Sequence, residues 1–330
     1  MSHVFRWDLD KTYLATDFDS IGALIRTAMQ TAEEKQNIPG TAALMRELRR
    51  GPDGKQTRIH VISGSPRQMR RVLEQKLRLD GADIDSLTLK PNVRNMLRMR
   101  FRAVRDQLGY KLPALLESRT TMQASVLETC FGDDAELDGL VYRLYADICS
   151  HRVRGPALEA IITAGQLYPD QADRIRGAAD RIPAHDPVER VLIHLETGSP
   201  TGRFESLGPR VVPTFNSFQA SLVLFIDGRL DIAAVGRVVD DMISGYRYDG
   251  GRLTRSLNDA LRRGIVKADA IEPLADALGL KIPTEIYTVD RPAETDVDYV
   301  GLLDEIHAYR AAQKAKRKRP SLTRLLGLDK

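Results

Sequence analysis

Short apolar runs alternate with helical patterns through the first half of this 330-residue chain. Runs suited to strands begin near residues 3, 59, 87 and 125, and stretches with apolar residues at helical spacing separate them. One of these stretches presents Met69, Val72, Leu73 and Leu77 on a single face. The alternation predicts an α/β fold, with a parallel sheet flanked by helices.

The second half of the chain shows a different pattern. Residues 155–182 and 217–280 have helical periodicity. Residues 183–213 are rich in Pro and Gly, and we expect them to be irregular apart from a short apolar run at 191–193. The chain has no convincing internal repeat. We therefore expect an α/β domain at 1–155, a mostly helical accessory region at 156–313 and a basic tail at 314–330.

Composition sets only broad limits on function. Hydrophobic residues make up 42% of the chain, enough for a sizeable core, and the net charge is a mild +4. Cys130 and Cys149 form no paired framework and no CxxC, which favours a reducing, cytoplasmic setting. We find no apolar signal core at the start, and no stretch approaches the roughly 18 apolar residues of a transmembrane helix.

Polar residues stand where the predicted strands end. Asp8 and Asp10 follow the first strand, Ser63 follows the second, and Asp133 follows a later one. Chemistry gathers at the carboxyl ends of parallel strands. Phosphoryl transfer needs an oxygen nucleophile, a proton shuttle and cations, and Mg²⁺ prefers carboxylate ligands. The residues that could supply these groups are Asp8, Asp10, Ser63, Lys111, Asp133 and Asp138.

Four motifs in order carry a family resemblance over about the first 150 residues. They read DLDKT, VISGSP, YKLPALLESR and CFGDDAELDGLVY. The first resembles the DxDxT signature of the haloacid-dehalogenase-like phosphatases. The set resembles most closely the App-type phosphatidate phosphatase catalytic domain, with Asp133, Asp138 and Tyr142 at matching positions.

This resemblance implies a role for each matching residue. Asp8 would attack phosphorus, Asp10 would protonate the leaving oxygen and then activate water, and Thr12 would support the loop. Ser63, Gly64 and Lys111 would bind the phosphoryl group. Mg²⁺ would be held by Asp8, the Asp10 backbone carbonyl and Asp133, with either Asp134 or Asp138 as the remaining acid.

Departures from the family pattern bear on the substrate more than on the chemistry. Lys11, Arg67, Tyr110 and Asp134 stand where a second acid, an aromatic, a histidine and a small hydroxyl residue are usual. The insert at 17–58 has room for about two helices, which is too small for a full cap. We therefore expect an open site without a large cap, suited to a bulky substrate such as a phospholipid.

Structural alternatives stand beside these assignments. Asp8 and Asp10 could form a turn that caps a helix, and Ser63 with Ser65 could form a hydroxyl-capped turn. Lys111 could lie on a helix surface. At the level of function, the alternatives are a soluble sugar or nucleotide phosphomonoesterase and a catalytically weak scaffold.

The tail carries five basic residues within 314–319, followed by leucines. Such a block could hold the protein peripherally at an anionic membrane, each charge contributing about 1 kcal/mol near the surface. The alternative is a solvated, disordered tail. A nucleic-acid patch is disfavoured because aromatic residues are not interleaved, and the oligomeric state is left open.

Overall fold

The computed structural model describes residues 3–16, 30–90, 104–289, 291 and 293–318. Six strands form one sheet: β1 His3–Trp7, β2 Arg58–Pro66, β3 Ser86–Lys90, β4 Leu127–Asp133, β5 Val188–His194 and β6 Val211–Thr214. The helices of the first half are α1 Thr41–Arg50, α2 Arg70–Leu79, α3 Val104–Arg119 and α4 Asp138–Cys149. Those of the second half are α5 Pro156–Ala164, α6 Pro169–Ala179, α7 Ser217–Ile226, α8 Ile232–Tyr246, α9 Gly250–Arg262, α10 Ala268–Ala277 and α11 Tyr299–Lys318.

All strand pairs in the sheet are parallel, and the strand order is β3-β2-β1-β4-β5-β6. The predicted α/β fold with a parallel sheet is thereby confirmed. The chain runs outward from β1 to β3, then returns to the other side of β1 to form β4. The order therefore reverses between β1 and β4, and ligands bind at such a switch point in open α/β sheets.

The strands β5 and β6 correct the expectation of an irregular segment at 183–213. The apolar run at 191–193 is only part of β5, because Glu189 and Arg190 interrupt the pattern. Those two charges are paired, Glu189 with Arg229 and Arg190 with Asp227 at 2.8 Å. Pro213 lies in β6 at the sheet edge, where a strand tolerates the missing donor. The sheet thus draws strands from beyond residue 155.

The sheet is covered on both faces. Phe5 and Trp7 of β1 pack into a core with α1, α2 and α7–α10, whereas Cys130 of β4 faces a second core with α3–α6 and α11. Side chains that alternate along a strand point to opposite faces, so one short strand contributes to both cores. This burial fixes the strand ends, where the candidate site lies.

Some expectations fall at the limits of the described residues. Residues 17–29 of the insert after β1 lie outside them, so one of the two helices for which the insert has room would fall mostly outside the described residues. The described part of the insert contains α1, which packs against α8. The helix α11 continues through the basic block to Lys318. Among the described residues, no helix combines the length and apolar character that crossing a membrane requires.

Candidate active site

The two central strands place two carboxylates side by side. Trp7 of β1 pairs in register with Phe131 of β4, and the Asp8 amide donates to the Phe131 carbonyl at 2.9 Å. Asp133 ends β4. Asp8 and Asp133 therefore stand at the carboxyl ends of the strands that flank the switch point, as the sequence predicted.

A tight turn after β1 follows the first aspartate. The Tyr13 and Leu14 amides both donate to the Leu9 carbonyl, at 3.0 and 2.8 Å. Lys11 takes a left-handed conformation with φ of 60°. Thr12 Oγ1 donates to Asp8 Oδ2 at 3.4 Å, and its expected role in supporting the loop stays a prediction. The turn keeps both Asp8 and Asp10 buried at the end of the sheet.

Asp10 is held by the end of β2. Ser63 Oγ and Ser65 Oγ both donate to Asp10 Oδ2, at 2.9 and 2.8 Å. The Ser63 hydroxyl also accepts from the Ser65 amide at 2.9 Å, so the hydroxyl-capped turn considered from sequence is present. Burial raises the pKa of Asp10, and the two serine hydroxyls oppose that rise. An acid with a raised pKa is suited to carrying a proton near neutral pH.

Asp133 and Asp138 form the second half of the site. Asp133 Oδ1 accepts from the Ala135 and Glu136 amides at 2.6 and 3.0 Å. Asp138 begins α4, and its Oδ2 accepts from the Asp133 amide at 3.2 Å. A Cβ at Gly132 would lie 2.4 Å from the Asp138 Cβ, so the close approach requires glycine.

Lys111 lies among these acids. Its Nζ is 2.8 Å from Asp8 Oδ1 and 2.7 Å from Glu136 Oε2, and it also contacts Asp138 Oδ1. The side chain is buried, so the alternative of a lysine on a helix surface is wrong. Burial alone would lower the pKa of Lys111, but the carboxylates of Asp138, Asp8 and Glu136 raise it well above its usual range. The lysine therefore stays charged.

Three of the carboxylates could hold a metal ion. Oxygens of Asp8, Asp133 and Asp138 lie within 4.8 Å of one another. Among the described residues, Asp133 Oδ2 is buried without a hydrogen-bond partner, whereas Asp8 Oδ1 meets the Lys111 ammonium at 2.8 Å. Burial, followed by repulsion from Asp138 and Glu136, raises the pKa of Asp133 well above its usual range. Hard oxygen donors with unused lone pairs fit a cation such as Mg²⁺.

Asp134 does not join this cluster. Its carboxylate accepts from the Thr197 amide and hydroxyl at 2.8 and 2.7 Å, and from the Ser199 amide at 2.8 Å. Burial would raise the pKa of Asp134, but these bonds lower it overall. Asp134 therefore fastens the loop after β5, and Asp138 is the acid that the geometry places beside Asp8 and Asp133.

Glu136 is a site residue that the sequence reasoning missed. Its carboxylate contacts Lys111, and a Cβ on Gly64 would lie 4.0 Å from its Oε1. Glu136 therefore lies between two residues expected to bind the phosphoryl group. The position of Glu136 inside the GDDAELD motif could have indicated a site residue. An acid in such a loop is usually solvated, however, so the motif alone did not single it out.

The aspartates and the lysine of the cluster are buried at the end of the sheet. Asp8, Lys111, Asp133 and Asp138 are each no more than 1% exposed, whereas the Glu136 side chain is 20% exposed. The turn between β6 and α7 also reaches this edge, since Asn216 and Ser217 line a small cavity with Thr12 and Gly132. Glu136 therefore lies on the solvent side of the cluster, and the expectation of a site without a large cap stays a prediction.

Comparison of the chain with protein-family models, with curated proteins and with solved structures finds no match. The resemblance to haloacid-dehalogenase-like phosphatases therefore still rests on the four motifs alone. What the structure establishes is a parallel α/β sheet with a buried cluster of three aspartates that could hold a metal ion.

Proposed function

We propose that the chain is a Mg²⁺-dependent phosphomonoesterase in which Asp8 is the nucleophile. The observation that carries the proposal is the charge of the buried cluster. The Lys111 ammonium contacts the carboxylates of Asp8, Glu136 and Asp138. Asp133 lies beside Asp8 and Asp138, so the cluster formed by these described residues has four carboxylates and one ammonium. Buried carboxylates without compensation are costly, so such a cluster is poor as a purely structural feature. A bound divalent cation would compensate the negative charge of the carboxylates, and the cation and Lys111 together would attract a phosphoryl substrate.

The proposed reaction has two steps. Asp10 gives up a proton in the first step and regains one in the second. An Asp8 oxygen bonds to phosphorus while the ester bond breaks, and Asp10 gives its proton to the leaving oxygen. Water then attacks phosphorus and returns a proton to Asp10, and the bond from phosphorus to Asp8 breaks to release phosphate. The raised pKa of Asp10 supports its role as the acid.

The surrounding residues would orient the substrate. Lys111, 2.8 Å from Asp8 Oδ1, would face the phosphoryl oxygens beside the nucleophile. Ser63 and Gly64 would border the group from the end of β2. Asp8, Asp133 and Asp138 would hold Mg²⁺, which supplies electrostatic stabilisation of the phosphoryl oxygens when bound.

The substrate has two candidates. The motif resemblance favours phosphatidate or a related phospholipid, with the basic block at 314–319 meeting an anionic surface. The burial of the site and the approach of the β6–α7 turn favour a soluble phosphomonoester instead. A panel that contains both phospholipids and soluble phosphomonoesters distinguishes these two substrate classes.

The experiment measures phosphate release from phosphatidate vesicles and from a panel of soluble phosphomonoesters, with Mg²⁺ or with a chelator. Asp8→Asn should abolish release, whereas the exposed Asp173→Asn should leave it at the wild-type rate. Release that persists in Asp8→Asn would overturn the assignment of the nucleophile. A protein that releases no phosphate from any member of the panel would favour the scaffold alternative.

A further inference from the structure

A groove of about 450 Å³ adjoins the candidate site. It is lined by Arg67, Arg70, Leu87, Thr88 and Leu89, at the carboxyl ends of β2 and β3. Leu89 pairs in register with Ser63, the residue that holds Asp10. The groove therefore begins about one strand spacing, roughly 4.8 Å, from the site.

The groove contains a cation that pairs with no acid among the described residues. Arg67 is exposed, and none of the ion pairs between described residues includes it. Arg70, in contrast, pairs with Glu74 at 2.9 Å and donates to the Leu87 carbonyl at 2.7 Å. The Arg67 guanidinium is thus the charge available to an incoming anion, and its planar fork matches phosphate or carboxylate oxygens.

The charge of Arg67 also reaches the candidate site. The Tyr110 hydroxyl is next in sequence to Lys111, and it is buried without a hydrogen-bond partner in the part of the chain that the structure describes. Burial raises the pKa of Tyr110, and the charges of Lys111, Asp8 and Arg67 all act on the same hydroxyl. The Tyr110 hydroxyl therefore lies within electrostatic reach of both Arg67 and Lys111.

We propose that this groove binds a second anionic group of the substrate, so that the substrate is a phosphomonoester that also carries another phosphate or a carboxylate. The inference rests on the proposed function and names its substrate class. Two strand spacings, about 10 Å, separate β1 from β3. The second anion would lie at about that distance from the phosphoryl group at Asp8, which corresponds to the size of a sugar or a lipid headgroup.

The test compares Arg67→Gln with Arg71→Gln, which removes the same charge from an exposed position outside the groove. The readout is the ratio of kcat/KM for fructose 1,6-bisphosphate to that for fructose 6-phosphate. We expect this ratio to fall at least tenfold in Arg67→Gln and to stay at the wild-type value in Arg71→Gln. An unchanged ratio in Arg67→Gln would overturn the groove for soluble substrates.

A second arm asks whether the anion belongs to a lipid. Phosphatidylcholine vesicles that contain phosphatidylinositol 4-phosphate present a monoester and a phosphodiester on one headgroup. A loss of kcat/KM in Arg67→Gln with these vesicles alone would assign the groove to a lipid headgroup. Dependence on Arg67 in neither arm would exclude the proposal.

Direct binding separates the groove from the chemistry. Calorimetry with fructose 1,6-bisphosphate is carried out on the protein with Asp8→Asn, alone and combined with Arg67→Gln or Arg71→Gln. We expect Arg67→Gln to weaken binding at least tenfold, even if the protein hydrolyses no monoester at all. Equal affinity with and without Arg67 would overturn the groove as a site for soluble anions, whatever the fate of the proposed function.

Discussion

Asp133 and Asp134 are neighbours in the GDDAELD motif, but their carboxylates have different surroundings and opposite pKa shifts. Asp133 is buried beside other carboxylates, and its pKa is raised. Asp134 accepts three hydrogen bonds from the loop after β5, and its pKa is lowered. The sequence could not separate Asp134 from Asp138 because the partners of Asp134 are more than 60 residues away.

Asp133→Asn should stabilise the metal-free protein at neutral pH. The raised pKa means that folded Asp133 holds its proton to a higher pH than unfolded Asp133 does, so its contribution to stability falls as pH rises above about 4. Mg²⁺ at about 100 times its Kd should add about 2.7 kcal/mol to the wild type, and little to the variant. Thermal unfolding with a chelator and with Mg²⁺ measures both effects.

Asp134→Asn is the matched control for that experiment. It should cost about 1–3 kcal/mol through weakened hydrogen bonds, yet keep the response to Mg²⁺. A response to Mg²⁺ that survives in Asp133→Asn and disappears in Asp134→Asn would contradict the metal assignment.

Glu136→Gln should lower the KM for a phosphomonoester. The Glu136 carboxylate competes with the substrate for Lys111 and repels a phosphoryl group. At about 4 Å, removing one like charge is worth about 1 kcal/mol or more, so we expect KM to fall at least about fivefold. Steady-state kinetics should show little change in kcat. Glu196→Gln, a carboxylate beside His194, is the control, and a kcat that collapses in Glu136→Gln would instead assign Glu136 to the chemistry.

The pair β1–β4 is the element on which the site depends. Arg6 of β1, two residues before Asp8, makes a bidentate pair with Glu128 near the start of β4, at 2.5 and 3.0 Å. Arg119 and Tyr145 also bind Glu128. Both partners of the main pair are fully buried, so this network ties the two strands whose ends carry Asp8 and Asp133.

Glu128→Gln should destabilise the protein by about 3–5 kcal/mol at pH 7, because Arg6 and Arg119 would keep their buried charges without a partner. Although burial opposes it, Arg6 lowers the pKa of Glu128, so the stability that Glu128 adds is present above about pH 4.5 and is lost below it. Urea unfolding across this range measures the effect. Glu117→Gln, which breaks an exposed pair with Arg174, should cost less than about 1 kcal/mol.

Prediction of elements from sequence succeeded where the pattern was local. The ends of β1 and β4 were predictable because apolar runs stop at Asp8 and Asp133, whereas β2 continues past Ser63 to Pro66. The strands β5 and β6 were missed because Glu189 and Arg190 hide the run, and their partners come from the loop after α7. Ion pairs between residues far apart in the chain leave no pattern in the local sequence that would indicate a strand.

The two halves of the chain share one sheet at the scale of the whole molecule. Both cores combine residues from before and after residue 155. A protein truncated after residue 155 would lack β5 and β6, expose β4 as an edge and lose apolar cover on both faces. The predicted boundary at 155 therefore follows the last of the four sequence motifs, but it cuts through a single sheet.

Truncation after residue 155 should yield a protein that aggregates or lacks a cooperative unfolding transition in urea. Truncation after residue 313 is the control, because the last fully buried residue described in α11 is Leu303. Removal of residues 314–330 alone should leave the free energy of unfolding within about 0.5 kcal/mol of the wild type. Cooperative unfolding of the 1–155 fragment would show that the second half is dispensable for folding.

Trapping of phosphoryl-Asp8 tests the central claim most directly. With p-nitrophenyl phosphate the leaving group needs little help from an acid, so Asp10→Asn should form the intermediate and hydrolyse it slowly. Acid quenching and peptide mass analysis should then find one phosphoryl group on the peptide that contains Asp8, and none when Asp8→Asn is added. Phosphate release with no phosphoryl group on Asp8 at any time would contradict the account.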